Sequence, residues 1–259
     1  MSLRIDLAGR RLLVVGASSG LGREIALQLS AAGARVAVAA RRRERLDALV
    51  KQLAGPPGLA LGCDVRREVE CARAVADAVA RFGGLDGFVY STGMSPISFL
   101  DRVTSAEWSA VLETNLVGAS LIAAAAIPHL RASAGRAVFL SSSSVRDIYP
   151  GLGLYRISKV ALDALIQGLR AEHPDLDFTR VVVGQTAGTE FGAHWDAERR
   201  QELIQMWIER GVTPVNTVMP PEVLAESVVS LFALRGYVDD IAVMPRQRDA
   251  LVTPEDGGG

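Results

Sequence analysis

Leu12-Leu13-Val14-Val15-Gly16-Ala17-Ser18-Ser19-Gly20-Leu21-Gly22 reads as a short apolar strand that runs into a glycine-rich turn and then opens a helix. Four apolar residues in a row suit a strand covered on both faces, as in a parallel sheet. Glycines in the turn let backbone N–H groups come close to an anion, and the helix that starts there turns its positive end to the same point. The spacing is G-x-x-x-G-x-G, and its place after a first strand suits the pyrophosphate of a dinucleotide. Gly16, Ser18, Ser19, Gly20, Leu21 and Gly22 are therefore candidate cofactor contacts.

The rest of the chain repeats the rhythm that this stretch begins. Leu12–Val15, Arg35–Ala39, Leu59–Gly62, Gly87–Tyr90, Ala137–Leu140, Phe178–Val183 and Ile241–Met244 read as strands. Helical composition lies between them at Gly20–Ala32, Arg42–Leu53, Arg66–Phe82, Ser105–Leu130 and Leu154–Glu172. This alternation predicts an α/β protein, a single-domain Rossmann fold over residues 1–259. Its doubly wound parallel sheet has about seven strands and helices on both faces. Gly188–Pro221 breaks the rhythm and holds Trp195, Met206 and Trp207. It is either a pair of helices packed on the domain or a lid over a substrate pocket, and the two are compatible. Trp195 is a candidate substrate contact, and the tail Thr253–Gly259 is expected to be disordered.

Composition narrows the function. Hydrophobic residues make up 49% of the 259 residues and charged ones 22%, as expected for a globular protein with a sizeable core. A net charge of −1 leaves no electrostatic footprint for nucleic acid or an anionic membrane. Cys63 and Cys71 form neither a metal-type pair nor a disulfide framework, and His129, His173 and His194 show no ligand spacing, so no metal is expected. The apolar run Leu116–Ile127 is too short to span a bilayer and contains Gly118 and Ser120. Met1–Arg11 does not read as a signal peptide, and a cytoplasmic location is expected.

Two further features indicate chemistry. At the end of the second strand, a carboxylate would accept the adenosine ribose hydroxyls and repel a 2′-phosphate. Here Ala40 is followed by Arg41-Arg42-Arg43, and an arginine fork matches phosphate, so NADP(H) is the expected cofactor. Arg41 is the expected principal contact, with Ser18 a second. The other feature is Tyr155 with Lys159. Lys51 and Lys159 are the only lysines among 28 lysines and arginines, so position 159 needs an ammonium specifically. Residues i and i+4 share a helix face, which brings that ammonium near the phenol. Lowering a phenol from pH ~10 to neutrality takes about 4 kcal/mol. An ammonium ~4 Å away at an effective dielectric of ~20 supplies about that much.

The glycine turn, the Tyr-x-x-x-Lys pair, the length and the strand alternation together resemble the short-chain dehydrogenase/reductase family over residues 8–247. Asp64-Val65 is similar to the family's adenine contact, and Asn115-Leu116-Val117-Gly118 to its helix asparagine motif. The serine run Ser141–Ser144 follows the fifth strand, and the family's separation of thirteen from the tyrosine selects Ser142, with Ser143 the alternate. Three departures stand out. Val15 replaces a common threonine, Tyr90-Ser91-Thr92-Gly93 replaces Asn-Asn-Ala-Gly, and Gly184-Gln185 replaces Pro-Gly. Gly93 and Thr189 still match, as cofactor contacts.

The resemblance implies a carbonyl reductase or secondary-alcohol dehydrogenase. Tyr155 would pass a proton to the substrate oxygen and Ser142 would stabilise it. Lys159 would hold the nicotinamide ribose and Asn115 a relay water. It also implies a homodimer or homotetramer built on helices 105–130 and 154–172. Trp195, Met206 and Trp207 suggest a hydrophobic ketone or aldehyde; steroid, polyketide, terpenoid and fatty-acyl substrates all fit. The alternatives are a non-catalytic NADP-sensing protein and a sugar-nucleotide epimerase or dehydratase relative.

Overall fold

A computed structural model of the chain describes residues 5–193, 195–212 and 218–246. His194, residues 213–217 of the expected lid and the tail 253–259 lie outside the described residues. Seven strands form one sheet in the order β3-β2-β1-β4-β5-β6-β7, and every neighbouring pair is parallel. They are β1 (Arg11–Val15), β2 (Arg35–Ala40), β3 (Leu59–Gly62), β4 (Gly87–Tyr90), β5 (Arg136–Leu140), β6 (Asp177–Val183) and β7 (Asp240–Val243). The central strands β4 and β5 are buried along their whole length, which is why Gly87–Tyr90 and Ala137–Leu140 read as unbroken apolar runs.

Helices cover both faces of the sheet. Helices α1 (Gly20–Ala31), α2 (Arg43–Val50) and α8 (Pro221–Ala233) enclose one apolar core through Ile25, Leu29, Leu46, Leu49, Val228 and Phe232. Helices α3 (Glu68–Phe82), α5 (Gly118–Ser133) and α6 (Gly153–Glu172) enclose the other, around Phe88, Tyr90, Phe139 and Phe178. The remaining helices are α4 (Ser105–Leu112) and α7 (Ala197–Glu209). Thr104 and Glu107 start α4 with a capping box, each side chain answering the other's backbone N–H.

The expected helix 105–130 is in fact two helices joined by a π-turn, Glu113–Val117, and it extends to Ser133. Taken together, 105–133 is long and apolar enough to cross a membrane. In this fold one side of it, Ile122, Ala123, Ala126 and Leu130, is buried against the sheet. Helix α8, begun by Pro221, was not anticipated; proline suits the first helical position because the N–H it lacks would have no partner there.

The direction of the chain reverses between β1 and β4. In a doubly wound sheet the strand ends at this switch point leave a crevice for a ligand. A cleft of about 890 Å³ opens there, lined by residues from the C-terminal ends of β1 through β6.

Candidate active site

One wall of the cleft is the glycine turn. Gly16, Ser18, Ser19, Gly20, Leu21 and Gly22 all line it. Gly16 has φ +90°, and a Cβ there would meet Thr92 Oγ1 at 2.7 Å. A Cβ on Gly22 would lie 2.3 Å from Ser91 Oγ and 2.5 Å from the Gly16 carbonyl, so the turn closes tightly only without side chains at these positions. Ser91 Oγ donates to the Val15 carbonyl at 2.8 Å, which ties the end of β4 to β1. The departure at Tyr90-Ser91-Thr92 is thus accommodated by a different packing: Tyr90 is buried and its hydroxyl donates to the Thr114 carbonyl at 2.5 Å. Ser19 N-caps α1 without a side-chain hydrogen bond to the helix's own N–H groups, so the first of these are left for an anion.

The opposite wall assembles the expected polar set. Tyr155 and Lys159, on α6, are 9% and 4% exposed, and the lysine Nζ lies 5.8 Å from the centre of the phenol ring. Ser142 starts a 3-10 turn after β5, its Oγ accepting from Ser144 N at 3.2 Å. Ser142 and Tyr155 line the cleft together, and the serine hydroxyl is close enough to pull on the titration of the phenol. Lys159 Nζ donates to the Leu140 carbonyl at 2.8 Å. One turn further along α6, buried Asp163 accepts from Ser141 Oγ at 2.6 Å and Arg180 Nη1 at 2.7 Å.

The electrostatics differ from the expected balance. Burial pushes the Tyr155 phenol up to about 12, against a smaller opposite pull from the Ser142 hydroxyl. Burial brings Lys159 down to about 8, with Asp163 acting the other way. The ammonium was expected to acidify the phenol, but desolvation is the largest cause of the shift at both groups. The chain by itself therefore keeps Tyr155 protonated at neutral pH, the state required of a proton donor.

Asn115 is fully buried within the π-turn and is the one expected site residue that does not line the cleft. Its Oδ1 accepts from Met94 N at 2.8 Å, and its Nδ2 donates to the Met94 carbonyl at 3.0 Å and to Ser158 Oγ at 2.8 Å. Both amide hydrogens are committed to the protein, so the side chain pins the loop after β4 to α6. Gly93 lies between: a Cβ there would stand 3.7 Å from both Asn115 Oδ1 and Lys159 Nζ.

At the far end of the cleft, Asp64 and Val65 line the lip after β3. Arg66 holds the Asp64 carboxylate in an ion pair of 2.6 Å and lowers its pKa. Arg41 lines the cleft too, but it is Arg42 that reaches the turn, donating to Ser18 Oγ from Nε at 3.1 Å and from Nη2 at 2.8 Å. The run of three arginines carried the signal for this cluster; which of them turns inward depends on where α2 begins, and Arg42 is its N-cap.

The segment after β6 covers the site. Thr189 packs on Gly20, its Cα 3.5 Å from where a Cβ would stand. Gln185, in place of the family's glycine, accepts from Met219 N at 2.9 Å through its carbonyl. Trp195 lines the cleft and donates from Nε1 to the Ser95 carbonyl at 2.5 Å. Trp207, on α7, donates to the Pro150 carbonyl at 2.8 Å and stacks edge-on to Tyr149. With Ile97, Leu152 and Leu203 it forms a small separate core, so among the described residues 188–221 packs on the domain through one helix, α7, where a pair was expected. Phe191 was not anticipated; its ring meets Tyr155 edge-on at 5.2 Å and Trp195 at 5.3 Å. Nothing in its immediate sequence marks it, because the contact depends on how the segment folds back.

Comparison with known proteins agrees with this geometry. Residues 10–201 match the family model for short chain dehydrogenases. The chain is 35% identical over 171 residues to 11-beta-hydroxysteroid dehydrogenase 1A of Arabidopsis thaliana; the match covers 64% of this chain and 49% of that protein. The chain thus spans about half the length of the first curated relatives it matches. It is 30% identical to an uncharacterized oxidoreductase of Listeria monocytogenes, over 81% of this chain and 88% of that one. The solved structure of a Sinorhizobium meliloti dehydrogenase/reductase superposes with a TM-score of 0.81 at 26% identity, covering 96% of this chain and 97% of that one. With the glycine turn, the Ser142–Tyr155–Lys159 set and a sheet in the order 3-2-1-4-5-6-7 on one chain, these matches establish that it belongs to the short-chain dehydrogenase/reductase family.

Proposed function

We propose that the protein is an NADP(H)-dependent oxidoreductase that interconverts a carbonyl and a secondary alcohol on a hydrophobic substrate. The observation that carries this reading is the convergence of Ser142, Tyr155 and Lys159 on one wall of the cleft, opposite the uncapped N-terminus of α1. The cleft fits a dinucleotide phosphate. Its turn excludes side chains at Gly16 and Gly22, and the cradle formed by Arg42, Arg45 and Ser19 already holds a carboxylate, that of Glu190.

When bound, the nicotinamide supplies the hydride. The chain does the rest. The glycine turn and α1 hold the pyrophosphate, Arg41 and Arg42 the 2′-phosphate, and Asp64 and Val65 the adenine. Lys159, beside Gly93, orients the nicotinamide ribose, and Thr189 the nicotinamide amide. Ser142 donates a hydrogen bond to the substrate oxygen and steadies the charge that grows on it. Tyr155, held protonated by its burial, gives its phenolic proton to that oxygen. Phe191 and Trp195 exclude water from the same space.

The apolar lining, including Met94, Tyr149, Leu152 and Trp207, supports a hydrophobic ketone or alcohol as substrate. Likeness to a hydroxysteroid dehydrogenase points the same way. The protein acts as a homodimer or homotetramer through the stretch 105–133 and α6, where Val117, in the π-turn, and Val160 remain 42% exposed. A panel of steroid, terpenoid, acyl and aromatic ketones, followed by the loss of NADPH absorbance, tests the activity; consumption is expected with apolar ketones. A panel that leaves NADPH untouched, with the protein folded and NADPH bound, would contradict it.

A further inference from the structure

Four side-chain donors converge on one carboxylate at the adenosine end of the cleft. Glu190 accepts from Arg42 Nη1 at 3.1 Å and Nη2 at 2.8 Å, from Arg45 Nη1 at 2.6 Å and from Ser19 Oγ at 2.9 Å. Arg42 also holds Ser18 and Ser19, so the carboxylate sits where the glycine turn meets the start of α2. Two arginine forks and a hydroxyl at a helix start are the chemistry of a phosphate site. Here the anion comes from the chain itself. The cradle holds its pKa down to about 2, so it stays charged throughout the neutral range.

The neighbours of Glu190 extend the pattern. Thr189 rests on Gly20 of the turn, and Phe191 covers the Tyr155 ring. Gly188 and Gly192, at φ +66° and +77°, bracket the three residues with backbone conformations that side chains disfavour. Three consecutive residues thus lie on the glycine turn, the arginine cradle and the acid.

We propose that Glu190 is a residue that sets cofactor specificity: an internal carboxylate that competes with the 2′-phosphate of NADP(H) for Arg42, Arg45 and Ser19. Binding of the 2′-phosphate expels the Glu190 carboxylate from the cradle and loosens the backbone between Gly188 and Gly192. The inference rests on the NADP(H) reading above. Two anions cannot share the same donors, because their mutual repulsion adds to the loss of each one's hydrogen bonds. A ribose bearing only hydroxyls can instead donate to Glu190. The carboxylate therefore weakens NADPH selectively and leaves NADH little affected.

The test is to titrate wild type, Glu190→Gln and Arg42→Ala with NADPH, NADH, 2′,5′-ADP and 5′-AMP. Glu190→Gln is expected to bind NADPH and 2′,5′-ADP roughly 5- to 10-fold more tightly, the scale of an exposed ion-pair cluster, with NADH and 5′-AMP within about twofold. Arg42→Ala is expected to lose the preference for the 2′-phosphate. In wild type, 2′,5′-ADP should speed hydrogen exchange in a peptide spanning 188–192, and 5′-AMP should not. If NADPH is preferred and Arg42→Ala abolishes the preference, but Glu190→Gln leaves NADPH unchanged or weaker, the competition is overturned while the cofactor reading stands. Unchanged or slower exchange with 2′,5′-ADP overturns the expulsion. Equal binding of NADH and NADPH by wild type and Arg42→Ala overturns both.

Discussion

At the residue scale, the proposed chemistry depends on a phenol that the fold keeps neutral and an ammonium whose hold on its proton it weakens. Burial sets both, and the Tyr155–Lys159 spacing revealed the pair without revealing its pKa balance. Spacing along a helix gives proximity, whereas desolvation depends on what the rest of the fold lays over the pair. Tyr155→Phe is expected to lower turnover about 10²- to 10⁴-fold while NADPH still binds, as steady-state kinetics and fluorescence titration would show. Lys159 carries a stability consequence. Its folded pKa lies near 8, below its ordinary value of 10.5, so the fold binds that proton less tightly than the unfolded chain does. The resulting instability is fully present below pH 8 and fades as pH rises toward 10.5. Lys159→Met should therefore be inactive yet more stable at pH 7 by about 2 kcal/mol after loss of the bond to Leu140 is counted. Its advantage in thermal melts should shrink steadily above pH 8.

At the element scale, the strands were legible because buried parallel strands read as unbroken apolar runs, and all seven lie within one residue of where the sequence put them. The π-turn at Glu113–Val117 was not legible, since a single wide turn leaves no mark on composition or period. It is nevertheless what places Asn115 beside Met94 and Ser158. The arginine cradle was half legible: the run marked a basic cluster at the end of β2, but only the start of α2 selects Arg42. Glu190 and Phe191 were missed because they act across 148 and 36 residues of chain, to Arg42 and Tyr155. The turn gives a prediction of its own. Gly22→Ala would press a methyl against Ser91 Oγ and the Gly16 carbonyl, and is expected to destabilise the protein by about 1–3 kcal/mol in urea unfolding. NADPH binding should weaken with it, because the N–H groups at the start of α1 would move.

At the scale of the whole molecule, the sheet brings together parts that are remote in sequence. The glycine turn follows β1, the arginines follow β2, Ser142 follows β5, and Tyr155 and Lys159 project from the helix after it. A dinucleotide lying across the switch point would bridge both halves of the sheet, so its binding should stabilise the entire fold. NADPH at a hundredfold excess over its Kd is expected to add about 2.7 kcal/mol. That should raise the melting temperature by roughly 5–10 °C, measured by calorimetry. The most direct test of the central claim follows the hydride itself. Wild type and Tyr155→Phe would each be given NADPH deuterated at C4, in both stereochemical forms, with a ketone that wild type reduces. Mass spectrometry should find deuterium on the new carbinol carbon with one of the two forms and wild type, and almost none with Tyr155→Phe although it binds NADPH. Transfer by Tyr155→Phe at a rate near that of wild type, or an alcohol free of deuterium from either form, would contradict the account.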